Sequence, residues 1–239
     1  MKLPQVLAAA LLTGALLAGC SSPHGSSPGS VSSVSPGPDE GEITPSASVT
    51  ATSPATGTFT PSDWPTRPVT ADKIPTGLSN AAFAKGYTGA DYLARLTKRW
   101  HISLSSKKKT DFRADDDRPV VWFSSGAAHP TASTELSVTV VWSLDGNLKS
   151  LTCAASRTAT ARTDFLGQCI QLDHPGAHPG AAAHWLRTTT PDVDKVYDQA
   201  KKTVDSPLYR SGPAASLLVE YDTGKTGAMY SLRIFGVSS

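Results

Sequence analysis

Apolar positions along the chain change their spacing several times, and each change predicts a different element. Tyr92, Leu93, Leu96 and Trp100 recur on one face of a 3.6-residue helix, and Thr88 stands as an N-cap with Asp91 three residues on. A first helix is therefore predicted over 89–100. The period then drops to two over 101–105, which reads as a strand, and Val120-Val121-Trp122-Phe123 offers a second short one. Leu136, Val138, Val140 and Trp142 alternate with Glu135, Ser137, Thr139 and Ser143, so one face of that strand should be buried and the other wet. Asp145-Gly146 suits a two-residue type I′ turn. Pairing Leu144 with Asn147 across it places Val140 opposite Leu151 and Val138 opposite Cys153, which turns Cys153 inward.

Further on, residues 164–172 make a short helix carrying Cys169. A longer helix is expected after Thr190-Pro191, with proline at its first position, Asp192 and Asp194 at the positive end of its dipole and Lys201-Lys202 towards the negative end. Val193, Val196, Tyr197, Ala200 and Val204 form its apolar stripe, and Ser206-Pro207 stops it. Two strands, 216–221 and 228–235, joined by a glycine-containing loop, close the chain. This order predicts an α+β fold, an antiparallel sheet with helices packed on one face, over a single domain of residues 77–239. Each half is a helix leading into a hairpin, but no residue-level repeat accompanies that likeness.

Before residue 77 the pattern disappears. Residues 21–76 are dominated by Ser, Pro, Gly, Thr and Ala, with almost no large apolar side chain until Trp64 and Ile74. Such a stretch cannot bury enough apolar surface to offset the entropy of ordering it, so 20–76 is expected to be a disordered tether. A flexible coil of that length spans about 40 Å end to end. Its Ser/Thr/Pro content would also suit O-glycosylation.

The first nineteen residues differ again: Lys2 is followed by an apolar run from Leu7 to Leu17 and then by small residues before a cysteine. The run falls short of the about 20 residues that a membrane-spanning helix needs, and it suits a cleavable signal peptide, residues 1–19. Leu17-Ala18-Gly19-Cys20 resembles the lipobox of bacterial lipoproteins, whose cysteine takes a diacylglyceryl group and becomes the first residue of the mature protein. The resemblance implies a lipid anchor on Cys20, acyl chains such as palmitate, and a place on the extracytoplasmic side of the cell membrane. Acyl chains contribute about 0.8 kcal/mol per buried methylene, so two or three of them hold a protein at a membrane surface. The Ala/Ser/Thr/Pro-rich tether adds a general likeness to secreted lipoproteins of high-GC Gram-positive bacteria, which carries no activity with it.

With Cys20 assigned to the anchor, Cys153 and Cys169 remain, in a chain directed to an oxidising compartment, and they are expected to form a disulfide stapling helix to sheet. The formal net charge of +2 comes from mixed acidic and basic residues, which points away from nucleic acid and from a polybasic membrane patch. Lys107-Lys108-Lys109 and Asp115-Asp116-Asp117 read as a solvated loop carrying both signs.

Motifs that could carry chemistry are few. Gly25-Ser26-Ser27-Pro28-Gly29 matches G-x-S-x-G but lies in the tether, far from any strand-to-helix turn. Gly224-Lys225-Thr226 has the end of a P-loop, yet Val219 occupies the required glycine position and a strand follows. Lys225-Thr226-Gly227 with Ser105-x-x-Lys108 or Ser106-x-x-Lys109 resembles two elements of penicillin-binding proteins and β-lactamases, but the serines leave a strand, and the S-D-N element is missing. Asp173, His174, His178 and His184 make the one cluster of metal-ligand types, suited to zinc or copper, although Pro175 and Pro179 keep His174 and His178 off a shared helix face. Asp111, Asp115, Asp116 and Asp117 lack the glycine of a calcium loop. Among the tryptophans, Trp100, Trp122 and Trp142 fall at core positions or element ends, and Trp185 is the one expected at the surface.

No catalytic residues and no cofactor are indicated. The sequence therefore predicts a membrane-anchored lipoprotein whose domain binds an envelope protein or wall component without catalysis. Two alternatives remain: a metal- or small-ligand-binding lipoprotein using the 173–184 loop, and a small envelope hydrolase.

Overall fold

The computed structural model describes residues 63–74, 81–110, 120–224 and 227–237. In chain order these form β1 (Val69–Thr70), a 3-10 turn (Ala71–Lys73), α1 (Ala90–Trp100), β2 (Lys108–Lys109), β3 (Trp122–Thr131), β4 (Thr134–Trp142), β5 (Leu148–Ser156), α2 (Arg162–Cys169), α3 (Pro179–Ala200), β6 (Val204–Asp205), β7 (Tyr209–Ser211), β8 (Ala214–Asp222) and β9 (Ala228–Gly236). The nine strands make one antiparallel sheet in the order β1-β6-β8-β9-β5-β4-β3-β2, with β7 paired to β8. The fold is α+β, as the alternation and helical periodicity predict.

The alternating residues of β4 behave as the period of two requires: Leu136, Val138, Val140 and Trp142 are buried beneath the helices, and the residues between them are half-exposed. Val140 pairs with Leu151 and Val138 with Cys153, the register expected from the sequence. The turn that sets it differs. Ser143 N–H donates to Asn147 O at 2.8 Å, Gly146 adopts φ +82°, and three residues form the loop instead of two. A bulge at Lys149, between the pairs Val141↔Ser150 and Trp142↔Leu148, restores the register. The added loop residue and the bulge cancel, so Cys153 still points inward and is fully buried.

Cys153 is bonded to Cys169 at the end of α2, which fixes that helix to the middle of the sheet. Phe165, Leu166 and Ile170 pack around the bond with Leu96, Ile102, Leu151, Leu218, Tyr230 and Leu232, giving one continuous core between sheet and helices.

Three stretches fold differently from the sequence expectation. Residues 101–105 form no ladder strand; His101 caps α1 in the left-handed conformation and the chain then passes along β3, with Ser105 N–H bonded to Ser125 O at 2.9 Å, and Gly126 permits the crossing because a Cβ there would stand 2.2 Å from Ser103 O. Lys108 and Lys109, expected in a loop, form the edge strand β2, and Lys107 and Lys109 place their ammonium groups 4.1 Å and 5.0 Å from the rings of Trp142 and Trp122. Asp111 and Asp115–Asp117 lie outside the described residues.

The third difference is the largest. α3 begins at Pro179, not at Pro191, so the proline at its first turn is Pro179 and Pro191 sits inside the helix. Ala181-Ala182-Ala183 and Leu186-Arg187 are strong helix formers. They carry the helix through the loss of the one bond that a Pro191 N–H would have donated to the Arg187 carbonyl. Thr190 Oγ1 donates to Leu186 O at 2.7 Å in the same turn.

The opposite face of the sheet has its own small cluster. Trp64, assigned to the tether by composition, is buried with Ala215, Leu217, Val219, Phe235 and Val237, and its Nε1 donates to Ser206 O at 2.9 Å. Val69 and Thr70 then pair with Asp205 and Val204. One aromatic ring and a two-residue strand thus draw 63–74 into the fold, a signal too sparse to register in a Ser/Pro/Thr-rich window.

The disulfide gives a direct test. Alkylation of the unreduced protein in denaturant should label neither Cys153 nor Cys169, and the variant Cys153→Ala/Cys169→Ala should lose about 3 kcal/mol of stability in urea unfolding, the value expected for a loop of this size. Labelling of both thiols would refute the bond.

Candidate functional site

Asp173, His174, His178 and His184 are not gathered into a metal site. Asp173 accepts from Tyr87 Oη at 2.9 Å and pairs with Arg95 at 2.8 Å. His174 stacks on Phe83 with ring centroids 5.2 Å apart, its Nδ1 3.0 Å from Pro175 O, and burial holds its pKa below the ordinary imidazole value. His178 precedes α3, its N–H bonded to Ser211 Oγ, while His184 is exposed on α3 beside Arg187. The early start of α3 explains the dispersal, because it turns half of the expected loop into helix. Among the described residues no group of three or more His, Cys, Asp or Glu side chains could hold a metal ion. Ser105 and Ser106 lie between α1 and β2 and open no helix; Lys225, Thr226 and the 25–29 motif lie outside the described residues. Trp185 is half-buried and stacks on Tyr209.

The structure instead brings together residues that no motif marked. Glu220 lies on the helix-facing side of β8, opposite Tyr230 of β9, and is completely buried. Arg157, just beyond the end of β5, places Nη1 3.0 Å from Glu220 Oε1, within ion-pair range but not aligned as a hydrogen bond. The same guanidinium grips Asp198 of α3 with two bonds, 2.9 and 2.8 Å long. Lys201 adds a third contact to Asp198 at 3.2 Å. These bonds to Arg157 and Lys201 hold the Asp198 carboxyl well down, at about 2. One turn earlier on α3, Asp194 accepts a hydrogen bond from Tyr230 Oη, and its negative charge acts on Glu220. Burial pushes Glu220 up to about 7; Arg157 opposes that rise, and the Asp194 and Asp198 carboxylates add to it.

Sequence alternation could have found Glu220: Ser216, Leu218 and Glu220 share one face of a strand whose neighbours are apolar, which puts an acid among core positions. Its partners come from distant segments and leave no local trace.

The Asp194–Tyr230 contact forms one end of a groove of about 360 Å³ between α2 and α3. Leu166, Gly167, Ala183, Leu186 and Pro191 give it an apolar floor. Arg162 and Arg187 stand at its rim. Arg162 lies over the Tyr230 ring at 4.8 Å and donates to Arg157 O, while Arg187 contacts His184. Neither guanidinium is in an ion pair with a carboxylate among the described residues. The volume and lining fall within the usual range for small-ligand pockets.

Stability should report the buried acid. The folded state holds the Glu220 proton up to about 7, whereas the unfolded chain releases it near 4.5. Between those values the folded state binds more protons, so stability falls as pH rises, by up to about 3 kcal/mol, and levels off above. Glu220→Gln, which keeps the shape without the charge, should flatten that slope and exceed the parent in stability at pH 8. Urea midpoints measured from pH 4.5 to 8 check this; an unchanged slope in Glu220→Gln would assign it elsewhere. In comparisons with known families, curated proteins and solved structures, none matches this chain.

Proposed function

We propose that this chain is an extracytoplasmic lipoprotein, anchored through Cys20, whose domain is a non-catalytic binding module presenting the α2–α3 groove to an amphiphilic ligand at the cell envelope. The observation that carries the reading is the groove itself: an apolar floor with two guanidinium groups at the rim that form no ion pair among the described residues. Such a lining favours an apolar body with a carboxylate or phosphate head, since guanidinium groups bind both in charge-assisted pairs. The titratable groups beside it are engaged in holding elements together, Asp194 with Tyr230 and Arg157 with Asp198 and Glu220, which favours binding over catalysis. An anchor at the lipobox cysteine would keep the groove near membrane-derived amphiphiles. Among the described residues no helix is long and apolar enough to cross a membrane.

The anchor and the groove are tested separately. Mass spectrometry of the membrane-extracted protein should find a diacylglyceryl group on Cys20 as the first residue, and Cys20→Ser should release the protein to the medium; an unmodified cysteine on the mature chain ends the anchoring reading. For the groove, decanoate should bind and quench tryptophan fluorescence, decanol should bind more weakly, and Arg162→Gln or Arg187→Gln should each weaken decanoate binding by about tenfold, as expected for loss of one charge-assisted hydrogen bond. Equal binding of decanoate by the parent and both variants would remove the proposed role of the rim.

A further inference from the structure

The sheet face turned away from the helices carries a second depression, built without any helix. Register across four strands places Thr139, Thr152, Arg233 and Leu217 in one row. Neighbouring strands lie about 4.8 Å apart, so the row sets two hydroxyls, a guanidinium and an apolar side chain on adjacent strands. Ser231 and Phe235 flank Arg233 along β9, and Ser150 faces Phe235 from β5. Together these residues line a trough of about 410 Å³.

Two features bear on what it would hold. Ser150 and Ser231 are only 8% and 4% exposed as residues, but their hydroxyl oxygens are not sealed off and bond to no other described residue, which leaves both open to a partner in the trough. Arg233 is exposed at the centre of the row and makes no ion pair among the described residues. The acid that senses it, Asp205 on β6, is buried and outside ion-pair range.

From this arrangement we infer that the trough is a second binding site, independent of the α2–α3 groove, for an acidic pyranose, a sugar ring bearing a carboxylate. Arg233 pairs with the carboxylate. Ser150, Ser231, Thr139 and Thr152 take the ring hydroxyls, and the apolar walls of Leu217 and Phe235 meet the ring's C–H face. Charge complementarity selects this occupant over a neutral glycan, and the small side chains leave room for a flat ring where longer ones would fill the trough.

The test is a backbone-amide NMR titration of the full mature chain with sodium glucuronate and, as the matched neutral probe, glucose. Glucuronate should shift the amides of Thr139, Ser150, Thr152 and Ser231, and glucose should do so at least about tenfold more weakly. Arg233→Gln should lower glucuronate affinity about tenfold, the loss of one charge-assisted pair. Arg162→Gln, on the other side of the sheet, should leave it unchanged. Thr152→Val, which keeps shape and removes a hydroxyl, should weaken both sugars together and guards against an Arg233 variant that misfolds. Equal response to the two sugars, or undiminished binding by Arg233→Gln, overturns the inference. So does protection of the trough amides from a soluble paramagnetic probe before any sugar is added, because the chain's own segment ahead of Asp63 would then fill the site.

Discussion

An acid sealed inside an apolar layer must find its polar partners within the protein, and on the helical side that requirement organises what surrounds it. Glu220 has no exposure to solvent, and Arg157 comes to it from the end of β5. Once placed there, the guanidinium has a second edge to offer, and Asp198 of α3 takes it. Asp194, a helical turn away, meets Tyr230 from the strand beside Glu220. Two polar ties thus pin the C-terminal half of α3 to β8 and β9, while the disulfide pins α2 to β5. The groove between the helices is the space left by these separate attachments.

The two faces of the sheet are built by different means. On the helical face, long apolar side chains interlock into one core around the buried Glu220. On the other face, among the described residues, Trp64 and its neighbours seal the β8–β9 end, and towards β5 and β4 the surface gives way to serine and threonine. The same strands therefore serve as a core wall on one side and as a polar platform on the other, a division that the alternation of side chains allows at no cost to the hydrogen-bonded ladder.

Much of this was legible from local pattern. The alternation in β4 and the Asp145-Gly146 turn placed Val138 opposite Cys153, and with it the disulfide, even though the turn is one residue longer and a bulge at Lys149 compensates. The last hairpin and α1 were likewise readable from periodicity within a single segment. What escaped has a common physical origin in contacts between segments far apart in sequence. Pro191 suits a helix start, but the helix formers ahead of it and the packing of Ala182, Leu186 and Val193 on the sheet together carry the helix through it. Trp64 gave a single apolar signal in polar surroundings, and its pocket is made by residues from Ala215 onward. The groove depends on how α2 and α3 are placed, and the trough on the pairing of Thr152 with Arg233; neither relation is written in a local window. The histidines misled for the opposite reason, since closeness in sequence across 174–184 became separation once the helix formed.

The attachment of residues 63–74 has a mechanical meaning. Among the described residues, a pull transmitted along the chain from its N-terminal side meets the Trp64 cluster and then a ladder of two residue pairs between β1 and β6, at the edge of the sheet. These contacts are few, and of them Val204 belongs to the core between sheet and helices. Tension would peel this strap away and uncover Ala215, Leu217 and Val219, while the disulfide-pinned half of the molecule stayed folded. The strap is thus the part of the fold that yields first, and its release would change the chemical character of a face adjoining the polar trough.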